Sequence, residues 1–382
     1  MQLSHTRPVA SAVFDDPNLV SCAGLVPIAA LAQKCGLAAL ADEHLSAPTD
    51  KGANAGAKVG CLVAGMVAGA DSIDDMALLR HGAMGTVLDR AYALSTLGSF
   101  LREFTFGHVR QLDAVASRFL AQLHARTPLL AGIDGPVMVD LDDTNIEVHG
   151  YTRQGSGYGY SGVCGLNALI ATITTADGAL VITGQRLRKR SCGSPRGAAR
   201  IIADTLAIVK RLRSPAATGK PLVRMDSAFY GHPSVSAAIR GGADVSVTVR
   251  LDPKVKAAIA AIDEHAWTAI EYTDAVYDES AGQCISRAEV AEIAFTAFSS
   301  KKASQQVSGT LVVRCIPDLT PTGDGQQALF DSWRFHAFFT TADLDTVTAD
   351  KTHRGHAIIE QVHADLKPRP WLIYPRPRNL ST

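Results

Sequence analysis

Near residue 131 the chain changes period and then runs through seven elements in a fixed order, which restricts the fold more than any other feature. VMVDLDDTNIEVHG alternates as a strand, with Val137, Val139 and Leu141 on one face and Met138, Asp140 and Asp142 on the other. NALIATIT reads as a second strand, and Asp177-Gly178 is a two-residue hairpin signal leading into a third, ALVITGQRLR. The helix RGAARIIADTLAIVKRL follows and is closed by Ser214-Pro215. PLVRMDSAFYG reads as a strand, PSVSAAIRGG as a short helix and DVSVTVRL as a strand. Three antiparallel strands, helix, strand, helix, strand imply an α/β fold with a mixed sheet.

A ribonuclease-H-like core has this order, with acids on its first and fourth strands. Before it, residues 1–130 read as an all-α domain: GLVPIAALAQKCGLAALADEHL, the run around 57–69, SIDDMALLR, STLGSFLREF and HVRQLDAVASRFLAQLHAR repeat apolar residues at spacings of three and four. Ser95-Thr96 is positioned to cap the fourth. A helix-turn-helix near 28–44 and a plain packed bundle are both compatible with this pattern. After the core (131–251), residues 252–347 read as a β-rich insertion, and 348–382 as a helix from Thr352 to Lys367 plus a short tail.

The 382 residues allow several domains, and 47% hydrophobic against 19% charged content describes a folded chain. The seven Cys form no CxxC pair, which argues against a disulfide framework or structural zinc and for a reducing compartment. MQLSHTRPVASAVFDDP lacks an apolar signal core, and the longest small-apolar run, VGCLVAGMVAGA, is too short to span a bilayer, so we expect no membrane and a cytoplasmic location. Net charge is zero, yet nine Lys or Arg and one acid lie between Arg186 and Arg213. That cluster, with Arg186, Arg188, Lys189, Arg190 and Arg196, can neutralise phosphates or serve as a solvated face.

Asp142, Asp226 and Glu360 each stand on or at the end of a readable element. Two strand-borne Asp and one helix-borne Glu suit two-metal phosphoryl transfer, because hard divalent cations take carboxylate oxygens. Asp140 shares the face of Asp142 and is the reserve ligand. His356, Glu360, His363 and Lys367 are spaced 4, 3 and 4, one stripe beside the apolar Ile359, Val362 and Leu366. The stripe suits a metal-bound phosphate, with Glu360 as ligand and His356 and Lys367 meeting phosphate oxygens. A rival is zinc held by His353, His356, His363 and Glu360, for which no H-E-x-x-H pattern speaks. In the link GYTRQGSGYGYSG, Tyr151, Tyr158 and Tyr160 can stack bases or simply flank a tight hairpin; Trp267 is a further stacking candidate.

VDLDDTNIEVHGY, GYSGVCGLNALIAT, VRMDSAFYG and HRGHAIIEQVHADLK together resemble the bacterial insertion-sequence transposases of DDE group 1, the thirteen-eighty group, over nearly the whole chain. The resemblance implies a ribonuclease-H-like catalytic core and a β-rich insertion before the last catalytic helix. It implies two Mg²⁺ ions, for which Mn²⁺ can substitute, and Asp142, Asp226 and Glu360 as the triad. It also implies DNA cleavage and strand transfer at terminal inverted repeats and into target DNA, by a homodimer in a synaptic complex in the bacterial nucleoid. Related transposases carry a Tyr, Arg, Glu, Lys signature around the last acid. Glu360 and Lys367 keep its second half, while His353 and His356 replace the first, with Arg354 alongside as a DNA contact. Family members continue with hydrophobic helical sequence where this chain has PRPWLIYPRPRNLST, which reads as truncation or frameshift. The competing expectation is therefore an inactive remnant that only binds DNA, and a third is a nuclease that cuts without transposing.

Overall fold

The computed structural model describes residues 16–48, 50–88, 91–148, 154–159, 162–278, 283–317 and 333–366, with backbone alone at 271–278, 283–287 and 317. The chain divides between Thr127 and Pro128 into two compact units.

The first unit is helical: α1 (Leu25–Lys34), α2 (Leu37–His44), α3 (Ala55–Val67), α4 (Leu94–Arg102) and α5 (Phe106–His124). The three-and-four spacing builds its core, where Leu25, Leu37, Ala41, Leu62, Leu97 and Phe100 are buried together. SIDDMALLR differs from expectation and forms a 3₁₀ stretch, Asp75–Arg80. The Asp75 carboxylate accepts from Ser72 Oγ at 2.7 Å and from the Asp71 amide at 3.1 Å, local bonds that compete with an α-helical ladder. Ser95-Thr96 does not cap α4 either, which begins at Leu94 after Ala93. The polar residues of α2 are Asp42, Glu43 and His44 without Lys or Arg, a composition unsuited to a recognition helix. No single helix among the described residues is long and apolar enough to cross a membrane. The bent pair α1–α2 reaches that length and apolarity only jointly, and Leu25, Leu37 and Ala41 are buried inside its own unit.

The second unit carries β1 (Val137–Glu147), β2 (Gly157–Tyr158), β3 (Cys164–Thr175), β4 (Val181–Lys189), α6 (Ala198–Leu212), β5 (Leu222–Met225), α7 (His232–Arg240), β6 (Asp244–Thr248), α8 (Pro253–Ala260), β7 (Thr268–Asp278), β8 (Gln283–Ala297), β9 (Val307–Pro317), β10 (Trp333–Thr340), α9 (Thr346–Arg354) and α10 (Ile358–Leu366). One mixed sheet runs β3-β1-β5-β6-β10-β9-β8-β7, and β2 and β4 both pair with β3. β1, β5 and β6 are parallel; β3 and β4 are antiparallel additions. Parallel neighbours need crossovers, and α6 and α7 supply them. α6 buries Ile201, Ile202, Leu206 and Val209, and its approach to β4 requires Gly184, where a Cβ would lie 2.9 Å from Ile201.

Residues 252–347 extend this same sheet. β10 pairs antiparallel with β6, so the edge that β6 would otherwise expose is hydrogen-bonded. The helix expected over 352–367 is two helices instead. α9 starts at Thr346, capped by the Asp345 carboxylate accepting from the Thr348 amide at 3.0 Å. A 3₁₀ step, Gly355–Ala357, separates it from α10. At the end of α9, Arg224 Nη1 donates to the Thr352 carbonyl at 2.6 Å, so a side chain from β5 meets the backbone where the two helices part.

Candidate active site

β1 and β5 are paired in register, Asp140 with Arg224 and Leu141 with Met225. Side chains two apart share a face, which directs Asp142 on β1 and Asp226, just past the end of β5, to the same side one step beyond the Asp140–Arg224 pair, and the charge of Asp226 is felt at Asp142. Asp226 ends β5 and caps a 3₁₀ turn, its carboxylate accepting from the Ala228 amide at 3.0 Å. Asp142 accepts from the Asp143 amide at 2.7 Å. Burial pushes the Asp142 carboxyl up to about 6; the neighbouring charges of Asp226 and Asp143 add to the rise, while the Asp143 amide and His356 oppose it. Burial raises Asp226 too, again opposed by His356. Two partly desolvated carboxylates that each resist ionising fit a hard divalent cation, which would restore the charge on both.

The third acid is placed differently. Glu360 is exposed at the start of α10, while Ile359, Val362 and His363 face inward. It is His363 Nδ1 that approaches Asp142 Oδ2, at 3.5 Å. Among the described residues no three His, Cys, Asp or Glu side chains converge as a metal site. Lys367 lies outside the described residues.

Asp140 corrects its reading as a reserve ligand. It is fully buried, and Arg224 holds both its oxygens, Nε to Oδ1 and Nη2 to Oδ2, each at 2.7 Å. His356 Nδ1 adds a bond to Oδ1 at 2.8 Å, so the ring nitrogen nearest the strands is committed to Asp140. The zinc alternative fails on His353, whose Nδ1 and Nε2 bond Ser246 and Thr248 hydroxyls at 2.8 and 3.0 Å. That ring stacks on Phe338 at 4.1 Å, and burial lowers its pKa to about 3.

The basic segment also differs from a DNA-facing row. Arg186 pairs with Asp204 at 3.1 Å. Arg188 is spent on Asp143 at 2.6 Å, on Asn167 and on the Ser194 carbonyl. Arg190 is buried over Gly159. Arg354 pairs with Asp350 at 2.8 Å. The reason is period: 186, 188 and 190 share one face of the strand and its end, and that face points inward. Lys189 and Arg196 remain exposed. Tyr158 is 68% exposed, whereas Trp267 is partly buried and tilted against Phe335 at 6.2 Å. Tyr151 and Tyr160 lie outside the described residues.

Sequence reasoning passed over Arg224, the buried partner of Asp140, although an Arg inside an otherwise apolar LVRM strand is itself a signal. It also passed over Asn167, which donates to Asp143 at 2.7 Å and accepts from Arg188. A cleft of about 740 Å³ lined by Lys220, His232, Arg240 and Thr341 lies at the opposite end of β5 and β6 and contains neither aspartate.

The sequence pattern of a family described as Transposase DDE domain group 1 matches residues 2–308. The match takes in Asp142 and Asp226 and ends before α9 and α10. Comparison with curated proteins finds no match.

Proposed function

The chain belongs to the Transposase DDE domain group 1 family, and from that footing we propose that it cleaves DNA and joins strands at the terminal inverted repeats of a thirteen-eighty-type insertion sequence. The observation that carries the reading is that Asp142 on β1 and Asp226, directly after the neighbouring parallel strand β5, are close enough for one charge to act on the other, with both carboxyls raised by burial. The order β4-β3-β1-β5-β6, with α6 and α7 as crossovers, supports a ribonuclease-H-like core.

Asp142 and Asp226 would hold divalent cations, two Mg²⁺ in this reading with Mn²⁺ able to replace them. Bound there, they would supply activation of water or a 3′-hydroxyl and stabilisation of the charge developing on the phosphate. Glu360 completes the family triad, and α10 must turn to bring it in. Positions three apart on a helix differ by about 60° around the axis and by about 4.5 Å along it, so a turn combined with a slide of that size exchanges His363 for Glu360 opposite Asp142.

Helices α1–α5 of the first unit and the exposed Lys189 and Arg196 would bind the element ends, with the exposed Tyr158 stacking on a base. Joining two ends calls for two copies of the chain, in the nucleoid of a bacterium. The test supplies end DNA with a free 3′-hydroxyl, plasmid target and Mn²⁺. Joined products with the wild type are expected; cleavage without joining would replace the transposase reading with that of a nuclease.

A further inference from the structure

We infer that Arg224 is a positioning residue: with Asp140 it clamps the α9–α10 junction to the two strands that carry Asp142 and Asp226, and so sets where the Glu360 helix is rooted. This rests on the reading of Asp142, Asp226 and Glu360 as the reacting set.

Three strands contribute one polar residue each to a single row. Asp140 pairs with Arg224 across β1 and β5, and Arg224 with Ser246 across β5 and β6. All three are buried, at 0%, 4% and 2% exposure, among apolar neighbours. Each takes its partner from one five-residue stretch, 352–356. Asp140 Oδ1 bonds His356 Nδ1 at 2.8 Å, Arg224 Nη1 donates to the Thr352 carbonyl at 2.6 Å, and Ser246 Oγ bonds His353 Nδ1 at 2.8 Å. Arg224 spends all three guanidinium nitrogens, two on Asp140 and one on Thr352. That division needs the planar fork; a lysine ammonium at the same place is a point charge without it. Gly355 is shaped to the same contact, because a Cβ there would lie 2.6 Å from Arg224 Nη1.

A buried ion pair is a poor way to gain stability, since apolar residues of similar volume often do as well. What the pair supplies is position. The row lies two residues before Asp142 on β1 and two before Asp226 on β5, so a shift of the clamp displaces the helix root relative to both. Ser246, Thr248 and the Phe338–His353 stack fix the far side of the junction.

Two variants of the full-length protein separate positioning from mere cohesion. Arg224→Lys keeps the charge beside Asp140 and gives up the fork. Gly355→Ala keeps every charge and presses on Nη1. Amide hydrogen exchange of the metal-free proteins, which requires no activity, is expected to be roughly tenfold faster over 346–366 in both variants, with β1 and β5 as protected as in the wild type. Mn²⁺-dependent nicking at saturating DNA should fall on the order of 10²-fold with DNA affinity unchanged. Unchanged exchange over 346–366, or protection lost equally from β1 and β5, would overturn the clamp. Loosening of 346–366 with undiminished nicking would overturn its positioning role. A wild type that never nicks, while both variants still loosen 346–366, would leave the anchoring in place and remove the transposase reading instead.

Discussion

Asp140 and Arg224 form a bidentate pair in the core, both bonds at 2.7 Å, one residue pair away from two aspartates that share a face with them. The pair and the aspartates ask opposite things of the same two strands. One couple is neutralised internally and stays dry; the other resists ionising until something positive arrives.

Breaking the dry couple from one side leaves a buried charge. Arg224→Met is expected to cost about 3–5 kcal/mol, measured by urea unfolding, because Asp140 then loses the cation that holds both its oxygens and keeps only His356. The double variant Asp140→Leu with Arg224→Met should recover much of that loss. A double variant as unstable as the single one would show that the charge of Asp140 is not the source.

The Asp142 and Asp226 couple gives a pH signature. Folding raises Asp142 from its ordinary 3.8 to about 6, so the folded chain holds a proton that the unfolded chain has released. Its contribution to stability is complete below about 4 and is lost as pH rises through about 6. Metal-free wild type should therefore lose about 1–3 kcal/mol between those values relative to Asp142→Asn. Mg²⁺ should flatten the difference. Parallel stability curves for the two proteins would count against a desolvated Asp142.

Glu360 is exposed, so Glu360→Gln should change unfolding free energy by no more than about 0.5 kcal/mol. Nicking should nonetheless drop by about 10³-fold, the scale of removing one member of a set that acts as a unit. Full activity in Glu360→Gln would remove it from the set and return attention to His363.

DNA contact should follow exposure rather than charge count. Lys189→Ala with Arg196→Ala is expected to reduce the salt dependence of DNA binding by about two phosphate contacts, read from the slope of log affinity against log salt. Arg188→Ala should instead lower thermal stability, since it removes the cation beside the half-buried Asp143 and a donor to Asn167. A reduced slope with intact stability in Arg188→Ala would contradict that assignment.

The core was legible because its signals are local. Alternation in β1 put Asp140 and Asp142 on one face, and the turn residues bounded each element, so the α/β class with a mixed sheet followed. What was illegible depends on distance along the chain. The break at Gly355 is met by Arg224, 128 residues before Thr352, and the joining of β10 to β6 has no local mark either. In the basic run a count of charges does not separate the two faces; the strand period does, assigning Arg186, Arg188 and Arg190 to the inner face and Lys189 to the outer one. Glu360 was placed by motif, and a motif does not fix the rotation of the helix that bears it.

The central claim is that Asp142 and Asp226 act as a pair on DNA. Its most direct test is Mn²⁺-dependent nicking of DNA carrying the element's terminal repeats, comparing the wild type with Asp226→Asn at equal DNA occupancy. Nicking by the wild type alone, with both proteins folded and bound, is the predicted result. Equal nicking by both, or none by either with binding retained, would contradict it.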